Sequence, residues 1–333
     1  MATVTQIFDA LPETLTEITV QRKEDLLLTY PAPTFMKLWR EFKPLTAAHF
    51  PTDFKPAKFA PPRDVYVGKT LRLEWQQMDN RQPFYHRNVD VDELSYQVSG
   101  ERTQMTEVGT ADLRPGDFAR IPVGIAHDNY GRKEVHLLFY SIAPVSDVGS
   151  NATVAERKKV PFENFSVNQR ATEMVTECLG ALGCDLSVSL VDETLLLGGT
   201  IETDAQLIVQ RPAAAGPEIE WVYKSQNVWL GNVQLESSRG EVYRCHRRAD
   251  AIQYQISGTR TLVTQKGLMK LEPGDFVNIP RGCAYTSITS ASSSHIIVLT
   301  TERLPLQGEP SKVAERCSLE EIEAARRGMS GVL

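Results

Sequence analysis

The sequence predicts an all-β chain folded as two tandem small β-barrels with a few peripheral helices. Three observations predict it. Residues 96–127 read YQVSGERTQMTEVGTADLRPGDFARIPVGIAH, residues 254–285 read YQISGTRTLVTQKGLMKLEPGDFVNIPRGCAY, and the two align without a gap at an offset of 158. A unit of that length is a domain rather than a solenoid repeat. The segments TLRLEW, LSYQVSG, DFARIPV and EVHLLFYSI are short and alternate apolar with polar residues, and Gly100, Pro115-Gly116, Pro122 and Gly124 bound them. Many short strands with Gly/Pro turns close as a sandwich or a small barrel. Finally, 333 residues exceed one typical domain.

The elements follow in order. Residues 1–50 read as an arm with a short helix, from APTFMKLWREFKPL near 32–45. Residues 51–150 form the first barrel. Residues 151–215 are a linker whose helix, VNQRATEMVTECLGALG near 167–183, leads into the second repeat. The polar stretch 145–165 holds no repeat element and marks the boundary. Residues 216–305 form the second barrel. Residues 306–333 are a helical tail, SLEEIEAARRGM, in which Ser318 and Glu321 have the spacing of a capping box.

Composition removes several functional classes. A net charge of −6 builds no basic face for a phosphate backbone, so nucleic-acid binding is not expected. The five cysteines are odd in number and form no CxxC pair, which points to free thiols in a reducing cytoplasm. No basic-then-apolar leader opens the chain, and no run approaches a membrane span. GxGxxG and Walker patterns are absent, so no nucleotide cofactor is implied.

The repeated block resembles the cupin superfamily. Its first motif is matched by His86-Arg87-Asn88, Glu93 and Gly100, and its second by Gly116, Pro122, Gly124, His127 and Asn129. The resemblance spans two blocks of about 160 residues. It implies a bicupin, two tandem double-stranded β-helix or jelly-roll barrels. Asn88 replaces the second histidine of the first motif. The run FYHRNVDVDEL is similar in that respect to homogentisate 1,2-dioxygenase, although its His86-to-Glu93 interval is one residue longer. The resemblance implies a metal held by His86, Glu93 and His127.

The residue types support the same site. Side chains of a small barrel alternate inward and outward, so a His, a carboxylate on the next strand and a His after a turn can converge. Two imidazoles and one carboxylate leave open positions and suit non-haem Fe(II), one per chain in the N-terminal barrel. Asp90 and Asp92 compete as the carboxylate, but Glu93 holds the motif distance to Gly100, and the aspartates read as solvated turn residues. Asn88 reads as a weak fourth ligand or a substrate contact, and Gln97 as a further substrate contact. His136, Tyr130 and Tyr96 are the candidate acid/base or orienting groups.

The second repeat lacks this set. The offset maps Glu93 onto Ala251 and His127 onto Tyr285, and a two-residue shift near the first motif maps HRN onto His246-Arg247-Arg248. The C-terminal barrel is therefore expected to have lost its metal and to serve packing or dimerisation, with Arg247 or Arg248 as an optional carboxylate contact. The expected function is ring cleavage of a dihydroxylated aromatic, such as homogentisate, gentisate, hydroquinone or a catechol, with O₂. The alternatives are a metal-dependent isomerase, lyase or decarboxylase, or a non-enzymatic binding protein. The expected partners are the aromatic substrate, O₂ and, by analogy with cupins, a second copy of the chain in a homodimer or larger oligomer. No nucleic acid or membrane is expected among them.

Overall fold

The computed structural model describes residues 2–9, 16–29, 43–57, 60–142, 144–177, 185–212 and 216–327. Among them are three sheets, of seven, eleven and eight strands, and three short helices, so the chain is all-β. No helix among them is long and apolar enough to cross a membrane.

Each repeat is a roll built on two antiparallel ribbons. In the first repeat these are the strands Asp92–Thr106 and His127–Ser141, with Tyr140 opposite Glu93 and His127 opposite Thr106. Gly100 lies midway along the first at φ +65°, where an added Cβ would sit 2.3 Å from the Lys133 carbonyl oxygen. Gly258, its repeat mate, lies at φ +64° with Ser292 O at 2.2 Å. Only glycine tolerates both the left-handed backbone and that approach. In the second repeat both ribbons divide, into Asp250–Ser257 and Arg260–Thr264, and into Tyr285–Thr289 and Ser293–Thr300. The first roll thus stays within the eleven-stranded sheet, while the second is shared between the seven- and eight-stranded sheets.

The rolls are closed by each other's flanking segments. Strand Thr3–Phe8 pairs in parallel with Val242–Cys245, and Thr46–His49 pairs with Asp275–Ile279, so residues of the N-terminal arm complete the second roll. Strand Ala171–Thr176 pairs in parallel with Tyr85–Asn88, and Ile208–Gln210 with Phe118–Ile121, so residues between the repeats complete the first. The helix expected near 167–183 is corrected here. Ala171–Thr176 is extended and forms a hairpin with Asp185–Val191, while 178–184 lie outside the described residues. Thr172, Val175 and Thr176 are β-branched, and pairing to the roll outweighs a local helical spacing.

The helix expected near 32–45 falls mostly outside the described residues. Within the arm the helix described is Glu24–Leu28. The tail helix forms over Leu319–Arg327, and its capping box is made: Glu321 N donates to Ser318 Oγ at 3.2 Å, and Ser318 Oγ donates to Glu321 Oε2 at 2.8 Å. Glu24 anchors both ends of the chain, accepting from Arg326 Nη2 at 2.8 Å and from the Tyr243 hydroxyl at 2.7 Å.

One core joins the two rolls. Phe118, Tyr96, Leu94 and Leu137 of the first pack with Tyr223, Tyr254, Phe276 and Ile296 of the second. Cys245, Cys283 and Cys317 are free thiols, and Cys178 and Cys184 lie outside the described residues.

Candidate metal centre

The strand Leu71–Met78 shows how the roll sorts its side chains. Leu71, Leu73 and Trp75 enter the core shared by the rolls. Arg72, Glu74 and Gln76 face the other way, opposite Tyr140, Leu138 and His136 of His127–Ser141. Glu93 is also opposite Tyr140, on the neighbouring strand. Across the mouth of the roll, His86 of Tyr85–Asn88 pairs with His127. A period of two along each strand therefore delivers His86, Glu93 and His127 to one interior.

One donor atom from each of the three lies within 4.8 Å of the other two. His127 Nε2 is 3.2 Å from Glu93 Oε2, and the rings of His86 and His127 are 5.4 Å apart. His127 Nδ1 donates to the Ile125 carbonyl at 3.2 Å, which leaves the Nε2 lone pair aimed at the cluster. Glu93 Oε2 accepts from Asn88 Nδ2 at 3.0 Å. The Thr176 hydroxyl contacts His86 Nε2 and donates to Asn88 Oδ1 at 3.3 Å. Two imidazoles and one oriented carboxylate, all on one side, suit a divalent transition metal.

The electrostatics fit a cation. Burial would raise the Glu93 carboxyl, but the charge and hydrogen bond of His127, helped by His86 and Arg102, hold it down at about 2. Burial works against a charged His127, yet Glu93 outweighs it and raises that imidazole. His86 is pushed down to about 4, by burial first and His127 second, and stays neutral. Deeper in, burial raises Glu74 to about 7, although Arg72 Nη2 lies 2.5 Å from its carboxylate.

The three residues open onto a cavity of about 740 Å³. Phe54, Phe84, Leu138 and Met174 give it apolar walls, and Glu74, Asn129 and Tyr140 give it polar ones. Among the described residues, the charged side chains lining it beside the cluster itself are the acids Glu74, Asp79 and Asp185.

The structure places the other expected site residues elsewhere. Tyr96, an acid/base candidate, lies 4.7 Å from the Phe118 ring in the contact between rolls. Tyr130, the second of these candidates, packs against the Phe162 ring at 4.4 Å, outside the residues that line the cavity. His136 is buried behind the cluster, its Nδ1 2.9 Å from Glu134 Oε2, and Gln97 Nε2 donates to the same oxygen at 2.7 Å. Neither reaches the cavity surface. Asn88 touches the carboxylate ligand instead of the cavity. Asp92 is buried rather than solvated, accepting from Val123 N at 2.8 Å and Val145 N at 3.0 Å.

Sequence reasoning missed Thr176, Glu74 and Tyr140. Thr176 was hidden in a segment with helical spacing. The row Thr70, Arg72, Glu74 was legible as the polar face of TLRLEW, but alternation alone does not say that this face is interior.

No family model and no curated relative match the chain. Among solved structures it is similar to a Cupin 2 conserved barrel domain protein from Leptotrichia buccalis, at 8% identity and TM-score 0.46, over 74% of this chain and 91% of that one. It is also similar to a variant of Bacillus subtilis oxalate decarboxylase, at 14% identity and TM-score 0.49, over 81% and 80%. A third is AerE from Microcystis aeruginosa, at 12% identity and TM-score 0.39, over 74% and 100%. At such identities and scores the likeness assigns neither substrate nor reaction. The two-roll architecture rests on the internal repeat and its strand pairing.

Proposed function

We propose that the N-terminal roll is a metal-dependent oxygenase that cleaves the ring of a small, uncharged dihydroxylated aromatic of the hydroquinone or catechol type. The observation that carries this reading is the convergence of His86, Glu93 and His127 at a wide, largely apolar cavity. Fe(II) held by these three residues would supply open positions for a chelating substrate and for O₂. Phe54, Phe84, Leu138 and Met174 provide flat and apolar contact for a ring. Glu74, poised near neutrality by burial against Arg72, can take a phenolic proton on its carboxylate. The acidic lining disfavours ring substituents bearing a carboxylate, which ranks homogentisate and gentisate below their uncharged relatives.

The test is metal analysis of anaerobically purified chain, then oxygen-electrode traces with hydroquinone, catechol, gentisate and homogentisate. About one iron per chain and rapid uptake on an uncharged diphenol is the expected result. Metal without O₂ uptake would move the site to isomerase, lyase or binding chemistry. Protein that takes up no metal on reconstitution would reject the site.

A further inference from the structure

The C-terminal roll holds a second cavity, of about 520 Å³, at the place where the first roll has its metal cluster. The correspondence is set by pairing. His86 lies opposite His127 in the first roll, and Arg244 lies opposite Tyr285 in the second, both at the repeat offset. Asn88 O accepts from Gly124 N at 2.7 Å, and His246 O accepts from Gly282 N at 2.8 Å. The copies therefore remain in step through the first motif, and the expected two-residue shift is corrected. Arg244 stands for His86 and His246 for Asn88. His246 is bound by Asp9 and by Tyr285 Oη, the latter at 2.8 Å. Arg247 points away, bonded to the Asp9 and Thr16 carbonyls.

Behind the cavity lies a buried guanidinium whose counter-ions are gone. Arg102 and its repeat mate Arg260 are both buried. Arg102 sits in the field of Glu134 and Glu93. In the second roll the Glu93 position is Ala251. The Glu134 position is Ser293, which takes the Gln255 amide at 2.8 Å as Glu134 takes Gln97 at 2.7 Å. Arg260 consequently donates to neutral groups alone among the described residues: Gln255 Oε1, Ser287 Oγ and Gln253 Oε1, each at 2.7 Å. A buried cation held by neutral dipoles is under-compensated, and an anion from solution is the natural complement.

The cavity is built to take one. Ser287, which receives Arg260, lines it and can donate its own hydroxyl inward. His295 lines it too, 4% exposed and with Nδ1 lacking any partner. Arg244 faces it, paired at 2.8 Å with Glu218, whose side chain is 82% exposed and free to swing aside. Ile219, Val233 and Leu235 supply an apolar wall. Two arginines and two acids line the cavity in pairs, Arg244 with Glu218 and Arg239 with the exposed Glu241 at 3.3 Å, so an anion reaches Arg244 by displacing Glu218, and the apolar wall beside it favours an amphiphilic anion over a bare inorganic one.

We propose that this cavity binds a small organic carboxylate, its carboxyl group against Arg244 and Ser287 and its hydrocarbon part against Ile219, Val233 and Leu235. The test is calorimetric titration of the full chain with benzoate, phenylacetate and hexanoate, with benzyl alcohol and sulfate as comparators. At least one carboxylate is expected to bind one per chain with Kd below about 1 mM. Benzyl alcohol should bind at least about tenfold more weakly. Arg244→Gln and Ser287→Ala should each weaken the carboxylate about tenfold or more, as loss of a charge-assisted contact does. His127→Ala should leave it unchanged. No binding of the three carboxylates at 10 mM would overturn the proposal. So would retention of affinity in both cavity variants, or loss of binding in His127→Ala, which would assign the ligand to the first roll. Sulfate binding as tightly as the carboxylates would reject the organic class.

Discussion

Arg244 occupies in the second roll the position that His86 occupies in the first, each directly across the sheet from the residue at the histidine position of the second motif, Tyr285 or His127. A guanidinium where a ligand imidazole should be, with Ala251 in place of Glu93, leaves no donor set for a cation. The chain is therefore expected to bind one equivalent of divalent metal, and Glu93→Ala to bind less than about a tenth of an equivalent. Elemental analysis of both proteins after identical reconstitution checks this. A full equivalent retained by Glu93→Ala would place the metal elsewhere.

Asn88 and Thr176 act on the metal through the ligands they hold. Asn88 Nδ2 donates to Glu93 at 3.0 Å, and the Thr176 hydroxyl links His86 to Asn88. Asn88→Ala and Thr176→Val are each expected to weaken metal affinity about 10- to 100-fold while leaving stoichiometry intact at saturation. Competition against a chelator of known affinity measures the change. Unaltered affinity in both variants would mean that the ligands are positioned by the strands alone.

Metal affinity should depend on pH in a definite direction. Glu93 raises the His127 imidazole above its ordinary range, while His86 is held at about 4 and is already neutral near pH 7. Below the His127 ionisation the incoming cation must expel one proton. Affinity should then fall by up to about tenfold per pH unit as pH decreases, and level off above it. Titrations at several pH values in buffers of different ionisation enthalpy read both the slope and the proton released. A flat profile would show that His127 is neutral before the cation enters.

The core shared by the rolls predicts cooperative unfolding. Phe276 of the second roll is fully buried, 4.3 Å from the Tyr254 ring and edge-on to Phe50 at 5.7 Å. Phe276→Ala is expected to cost about 3–5 kcal/mol and to lower a single transition rather than one of two. Denaturant unfolding followed by fluorescence and by loss of bound metal, which reports the first roll, distinguishes the cases. Metal retained after the second roll has melted would separate the two.

Much of this was legible in the chain alone. The repeat at offset 158 defines two copies of one unit. The turns around Gly116 and Gly124 mark the ends of its strands, whereas Gly100, read in the sequence as a boundary, lies within one continuous strand, Asp92–Thr106. The motif resemblance implied His86, Glu93 and His127 as ligands, and the fold brings these three residues together. These are local patterns, and local sterics and alternation suffice to express them. Tertiary structure decided what depends on pairing between distant segments. It made Ala171–Thr176 a strand, because Tyr85–Asn88 offers it an edge. It sent Tyr96 into the contact between rolls and Glu74 into the cavity, because a strand buried on both faces does not announce which face is which. It also set Arg244 and not His246 opposite Tyr285, since register is fixed by the sheet and by the turn at Gly282, not by the likeness of one short motif to another.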